Sequence, residues 1–238
     1  MSRIPQITSR DAVSPDTYPI FDSIVASRGA VRGPFTVLMY SPEVARRVAE
    51  YGAFVRFESS LPSHLREAAA TTVVREYECA YEWAMHSVSA PEAGVSPATM
   101  AVIRDRASLD SLPSDEQAVI RYARELVATH HVTDDTFAAV HAILGDKGTA
   151  ELTAAIGYYC AIGCVLNALE VPAPEGPTPP LPGGPHPSPA LRPHPSHHPL
   201  AYGQTGQTGK RANGQSATIF PAPSVVASHR RQARRGNL

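Results

Sequence analysis

Residues 65–86 read LREAAATTVVREYECAYEWAMH. Small and apolar residues dominate this stretch and neither Gly nor Pro interrupts it, so it reads as helix with a kink or turn near Arg75–Cys79. In helical register Glu78, Glu82 and His86 fall at i, i+4 and i+8 and share one face. That face lies in an otherwise apolar segment that holds the only tryptophan, Trp83. Ionisable groups on a partly buried face must be paired or hydrogen-bonded, and such surroundings tune their pKa values. A carboxylate one turn before a histidine fixes its tautomer and stabilises the imidazolium, which is what proton transfer near neutral pH needs. The same spacing equally describes a solvated helix face with a Glu–His pair worth a few tenths of a kcal/mol. No second cluster has ligand spacing, so no metal is expected.

Outward from this stretch the chain reads as successive helices. Ser14-Pro15 places a cap before TYPIFDSIVASR, which stops at Gly29. Ser41-Pro42 opens PEVARRVAEYGAFVRF, whose Val44, Val48, Tyr51 and Val55 form one apolar stripe. Ser96-Pro97 caps ATMAVIRDRA, and Ser114 with Gln117 makes a capping box before DEQAVIRYARELVATHH. Thr133 caps DDTFAAVHAIL, which ends at Gly145, and the most apolar stretch, Gly148–Leu169, is the expected central helix. No strand pattern stands out. The fold class is all-α.

The composition is uneven. From Pro172 onward lie 14 of the 23 prolines, seven Lys and Arg, and one acidic residue, Glu175. This gives residues 172–238 a formal +6 and leaves −7 on residues 1–171. A body of roughly 170 residues buries one core. The tail's scattered apolar residues do not offset ordering entropy of roughly 1–2 kcal/mol per residue, so the predicted domains are a helical body over 1–171 and a disordered Pro-rich basic tail over 172–238. His186, His194, His197 and His198 in that tail, and its terminal HRRQARR, define no ordered metal site and no specific nucleic-acid partner.

No run of 18 apolar residues predicts a membrane span, and the N-terminus lacks an apolar secretory core. Cys79, Cys160 and Cys164 are too few and too unevenly placed for a disulfide framework, so a cytoplasmic setting is expected. Cys160 and Cys164 read as small buried hydrophobes, and His130-His131 as a cationic helix end. Arg56 is a candidate for holding a substrate carboxylate, with a surface pair to Glu58 as the alternative. Asn167, if buried, needs a hydrogen-bond partner.

The run from Leu65 to His86 resembles the core motif of the carboxymuconolactone decarboxylase and alkyl hydroperoxidase D superfamily. The hydroperoxidase pattern is a Glu, eleven residues, then Cys-x-x-Cys-x-x-x-His. Glu67 stands at the Glu, Cys79 at the first Cys and His86 at the His, while Glu82 occupies the second Cys position. YEWAMH is similar to the YEW-x-x-H form of the non-redox members, and SPEVARRVAEYGAFVRFESSLPSHLREAAA and LNALEVP resemble that branch too. The likeness covers roughly residues 14–175.

The resemblance implies an all-α hydroperoxidase D-like domain, a homo-oligomer based on a trimer, and no cofactor. It implies acid/base lyase or isomerase chemistry on a small carboxylated lactone or related ring-cleavage product. His86 is then the general acid/base, Glu82 orients it, and Glu67 either supports the site from behind or relays protons. Arg56, Tyr81 and Trp83 are the expected substrate contacts. The alternatives are a peroxidase acting through Cys79 and a non-catalytic member. Glu82 cannot resolve a sulfenic acid, and its charge raises the Cys79 pKa, which disfavours the peroxidase.

Overall fold

The structure, a computed structural model, describes residues 2–175 and Leu181. Two 3₁₀ turns, Arg10–Ala12 and Pro15–Thr17, lead into eight helices: α1 (Tyr18–Arg28), α2 (Phe35–Leu38), α3 (Pro42–Ala53), α4 (Ser63–Glu76), α5 (Ala80–Glu92), α6 (Pro97–Asp105), α7 (Ser114–Thr129) and α8 (Asp134–Ala168). No strand occurs among the described residues. The tail, with its histidines and basic end, lies outside them. Leu181 is an exception, being buried against the main core beyond the predicted boundary at residue 171.

Breaks fall where local chemistry puts them. Gly29 ends α1 in the left-handed region at φ +78, which costs a residue without Cβ nothing. The Ser96 hydroxyl accepts from Thr99 N at 3.1 Å and starts α6. Thr133 caps α8 in the same way. Gly145, at φ +63, breaks α8 into segments 134–144 and 146–168. The capping box at Ser114 does not form. Pro113 precedes α7, and the Gln117 side chain donates instead to Leu112 O at 2.9 Å.

Helix α4 is the centre of the molecule and packs against α5, α6, α7 and α8. From Leu65 to Arg75 only Arg66 reaches beyond the buried class, as Ala and Thr let neighbouring helices approach on every side. A satellite core of Phe21, Ile24, Val31, Phe35, Met39, Ala45 and Ala49 unites the N-terminal segment with α3. Here the expected stripe is corrected. Ala45, Ala49, Gly52 and Val55 face inward, while Val44 and Tyr51 are exposed. Small residues win the inner face because α1 and α2 lie close against it.

Helix α8 is long and apolar enough on average to meet the criterion for a membrane span, with a mean hydropathy of 1.4 over its best window. It is broken at Gly145, and Leu152, Ile156, Ile162 and Leu166 are core residues.

Candidate active site

The turn at Tyr77–Glu78 reverses the chain between α4 and α5, with Glu78 in the left-handed region at φ +50. This takes Glu78 off the face shared by Glu82 and His86. It reaches Arg106 and Arg75 at 3.4 and 3.9 Å instead. The same turn lays α5 along α4 and brings Glu67 beside His86.

His86 is 6% exposed and Glu67 is 7% exposed. His86 Nδ1 lies 2.8 Å from Glu67 Oε2, and the Ser89 hydroxyl donates to that same oxygen at 3.0 Å. On the other side, His86 Nε2 lies 3.4 Å from Glu82 Oε2. The Tyr159 ring meets the imidazole edge-on, with centroids 4.9 Å apart. Glu67 is therefore the closer partner of His86, and Glu82 takes the opposite nitrogen.

Burial alone lowers the pKa of a histidine. Here the hydrogen bonds and charges of Glu67 and Glu82 overcome burial and carry His86 up to about 9. Burial likewise pushes the Glu67 carboxyl up, but His86, Ser89 and Arg66 leave it below its ordinary value. At neutral pH the site holds an imidazolium clamped between two acidic groups.

This clamp opens on a cavity of about 130 Å³. Since a water needs only ~10–15 Å³ on this measure, the space suits a small molecule of several heavy atoms. Glu67, Glu82, His86 and Ser89 line one side, and Phe35, Tyr81, Tyr158 and Tyr159 supply aromatic walls. Arg28, Arg32 and Arg56 face the same space. None of the three forms an ion pair among the described residues. Arg28 donates to Ala49 O at 2.8 Å and lies over the Phe35 ring, while Arg56 lies over Phe57 and not beside Glu58.

Local structure explains these positions. Residues Phe54–Glu58 form a π-helical turn after α3, closed by Ser59 N to Phe54 O at 2.9 Å, and it carries Arg56. Arg32 sits on the loop between α1 and α2. Gly33, at φ +58, allows that loop to press on Tyr81, since a Cβ there would come within 2.8 Å of the ring. Gly52 makes the same concession to the Tyr158 hydroxyl.

Of the sequence-predicted residues, the cavity brings together Glu67, Glu82, His86, Arg56 and Tyr81. Trp83 is a correction. It is 2% exposed in the main core, does not line the cavity, and its indole N–H has no hydrogen-bond partner among the described residues. Cys79 is also outside the cavity lining and fully buried, and burial pushes its thiol up to about 12. Cys160 is half-buried and Cys164 exposed, so the reading of both as buried hydrophobes is corrected as well. Asn167 is exposed and donates to Tyr77 O at 2.7 Å. His130 occupies the left-handed cap of α7. Among the described residues no group of three or more His, Cys, Asp or Glu is placed to hold a metal ion.

Sequence reasoning missed Arg28, Arg32, Tyr158, Tyr159 and Ser89. For Ser89 a signal existed, three residues after His86 on the same helix face. The arginines and tyrosines carry no local mark and arrive from remote helices.

The helical body thus holds a Glu–His–Glu cluster between α4 and α5. Residues 42–125 match the Carboxymuconolactone decarboxylase family. No curated protein sequence matches it. Among solved structures it is similar to an alkylhydroperoxidase AhpD core protein, peroxidase-related, from Ralstonia eutropha JMP134. The TM-score is 0.61 at 17% identity, covering 73% of this chain and 93% of that one. It is also similar to a cysteine variant of the debrominase Bmp8 in complex with 2,3,4-tribromopyrrole, with TM-score 0.58, 18% identity and coverage of 73% and 94%. A peroxidase-related protein from Silicibacter sp. TM1040 gives 0.56 at 15% identity, covering 72% and 93%. At these identities the likeness is one of fold. The family match holds Arg56, Glu67, Glu82 and His86, whereas Arg28, Arg32, Tyr158 and Tyr159 lie outside it.

Proposed function

We propose that this protein is an acid/base enzyme, a carboxy-lyase or isomerase acting on a small carboxylated lactone or related ring-cleavage product. The observation that carries this reading is the buried His86 between Glu67 and Glu82, facing a cavity with three arginines that have no carboxylate partner among the described residues. An anionic substrate supplies the missing counter-charge, and a guanidinium binds a carboxylate through two parallel hydrogen bonds. Loss of CO₂ leaves the electron pair of the broken C–C bond in a dienolate. A nearby cation stabilises that charge, and the His86 imidazolium donates the proton that quenches it. His86 then recovers a proton from solvent. Tyr81 and Tyr158 frame the substrate, and Glu67 holds the ring in place throughout.

The peroxidase alternative through Cys79 finds no support in the site. A fully buried thiol with a pKa pushed up to about 12 presents almost no thiolate to a peroxide. The test is to assay the purified protein for loss of a carboxylated muconolactone and, separately, for consumption of an organic hydroperoxide. Lactone turnover that His86→Gln abolishes supports the reading. Hydroperoxide consumption that Cys79→Ser abolishes overturns it.

We also propose a homo-oligomer based on a trimer. In a single chain Tyr40, just before α3, and Val44, Tyr51, Phe54 and Phe57 on α3 and its π turn are exposed, an apolar surface suited to a second copy. A monomer in light scattering at micromolar concentration would count against it.

A further inference from the structure

Away from the cavity, the 146–168 segment of α8 carries Cys160 and Cys164 one turn apart, which puts both sulfurs on the same side of the helix. Cys160 is half-buried and Cys164 is exposed. Tyr77 lies across this side. Its ring rests on Gly163, where an added Cβ would come within 2.8 Å of a ring carbon. Its backbone carbonyl is held by Asn167 at 2.7 Å, and burial together with the neighbouring Cys160 and Cys164 thiols holds its hydroxyl above the usual phenol pKa. Gly163 and Asn167, three residues after each cysteine, thus seat a phenol against a pair of thiols. The acid/base site uses none of these groups.

Two cysteines at this spacing do not close a disulfide on an intact helix. Their Cβ atoms stand roughly 5–6 Å apart, against the ~3.5–4.5 Å that the bond requires. A bridging ion removes that constraint, because it adds two metal–sulfur bonds between the side chains. Among the described residues no imidazole or carboxylate joins the pair, so the set is too small for a four-coordinate zinc site. A pair of sulfurs matches a soft cation that accepts two ligands.

We propose that Cys160 and Cys164 form a two-sulfur binding site for a soft, thiophilic cation of the Cu(I) class, with the Tyr77 hydroxyl as an outer hydrogen-bond partner. On binding, each thiol releases its proton to solvent as its sulfur bonds the ion, and no electron is transferred. The half-buried Cys160 anchors the ion, and the exposed Cys164 gives it access. The Tyr77 hydroxyl stabilises the thiolate form by donating to sulfur.

The experiment is an anaerobic titration of the full chain with Cu(I) against bicinchoninate, a coloured competitor that reports ion not held by protein. Wild type is expected to hold about one equivalent, as for a single two-thiolate site. Cys160→Ser and Cys164→Ser should each lose it, Cys79→Ser should keep it, and Tyr77→Phe should weaken it by roughly tenfold, as removal of an outer partner does. Cys164→Ser alters an exposed position, so its fold serves as the control, checked by its thermal midpoint. The proposal is overturned if wild type holds no ion against the competitor. It is equally overturned if either single serine variant, or the double variant, keeps the wild-type equivalent, since the ligands would then lie elsewhere in the chain.

Discussion

Glu67 and His86 stand 19 residues apart in sequence, yet Glu67 Oε2 and His86 Nδ1 are 2.8 Å apart in the interior. This contact decides the protonation state of the site. With Glu82 at the opposite nitrogen, His86 has an acceptor for each N–H of its charged form and is a proton donor at neutral pH.

Activity should therefore fall on the alkaline side as the His86 proton is lost, with a limb in kcat/KM near pH 9. Glu82→Gln removes one of the two charges that hold the proton, so that limb should move to lower pH. Cys79→Ser should leave the profile in place. A limb that ignores Glu82→Gln would show that another group titrates.

Stability should follow the same pair. The folded pKa of about 9 for His86 lies above its unfolded value of ~6.5. The stabilisation is complete below the unfolded value and is lost as pH rises through 9. Glu67, whose pKa is lowered on folding, acts in the other direction, and its share is lost as pH falls through its folded pKa. His86→Ala strands two acidic groups and should cost ~3–5 kcal/mol, whereas His86→Gln keeps a donor for Glu67 and should fold. Thermal midpoints of both variants from pH 5 to 10 check this.

Arg32→Met and Arg56→Met should raise KM by roughly 10–100-fold, as loss of a hydrogen bond to a charged group costs ~1.5–3 kcal/mol, with kcat changed far less. Equal losses in kcat would instead place the guanidinium on the developing charge.

Gly29→Ala and Gly33→Ala separate conformational strain from contact. Both residues have positive φ, but an added Cβ meets nothing within 4 Å at Gly29 and the Tyr81 ring at Gly33. The first change should cost ~1–2 kcal/mol and spare activity. The second should cost more and raise KM, because Tyr81 must move. Urea midpoints with steady-state kinetics distinguish them.

Truncation after Pro182 should leave the thermal midpoint unchanged. Truncation after Val171 removes the buried Leu181 and should cost ~1.5–3 kcal/mol. Equal midpoints for the two would show that Leu181 contributes nothing.

Sequence patterns read well where one residue carries the physics. Gly29, Ser96, Thr133 and Gly145 each act through their own backbone or hydroxyl, and each marks a real break. They read poorly where neighbours decide. Val44 and Tyr51 obey the helical period of a core face, but Ala45, Ala49 and Gly52 take the inner side of α3 where α1 and α2 lie close. Ser114 and Gln117 have the spacing of a capping box, yet Gln117 finds the Leu112 carbonyl first. For the site, spacing correctly puts Glu82 one turn before His86, and the family motif is what singles out Glu67. Only the packing of α5 on α4 makes Glu67 the nearer partner, and only tertiary structure brings Arg28, Arg32, Tyr158 and Tyr159 to the cavity.

The loop between α1 and α2 gives this scaffold a replaceable cassette. Its glycine at position 33 seats it on Tyr81, and it reaches the cavity without contributing to the Glu67–His86–Glu82 cluster. Grafting a loop of different charge onto residues 29–34, with Gly33 retained, should redirect which anions enter while the proton donor beneath stays untouched. Selectivity and proton chemistry then become independent variables, to be evolved or engineered one at a time.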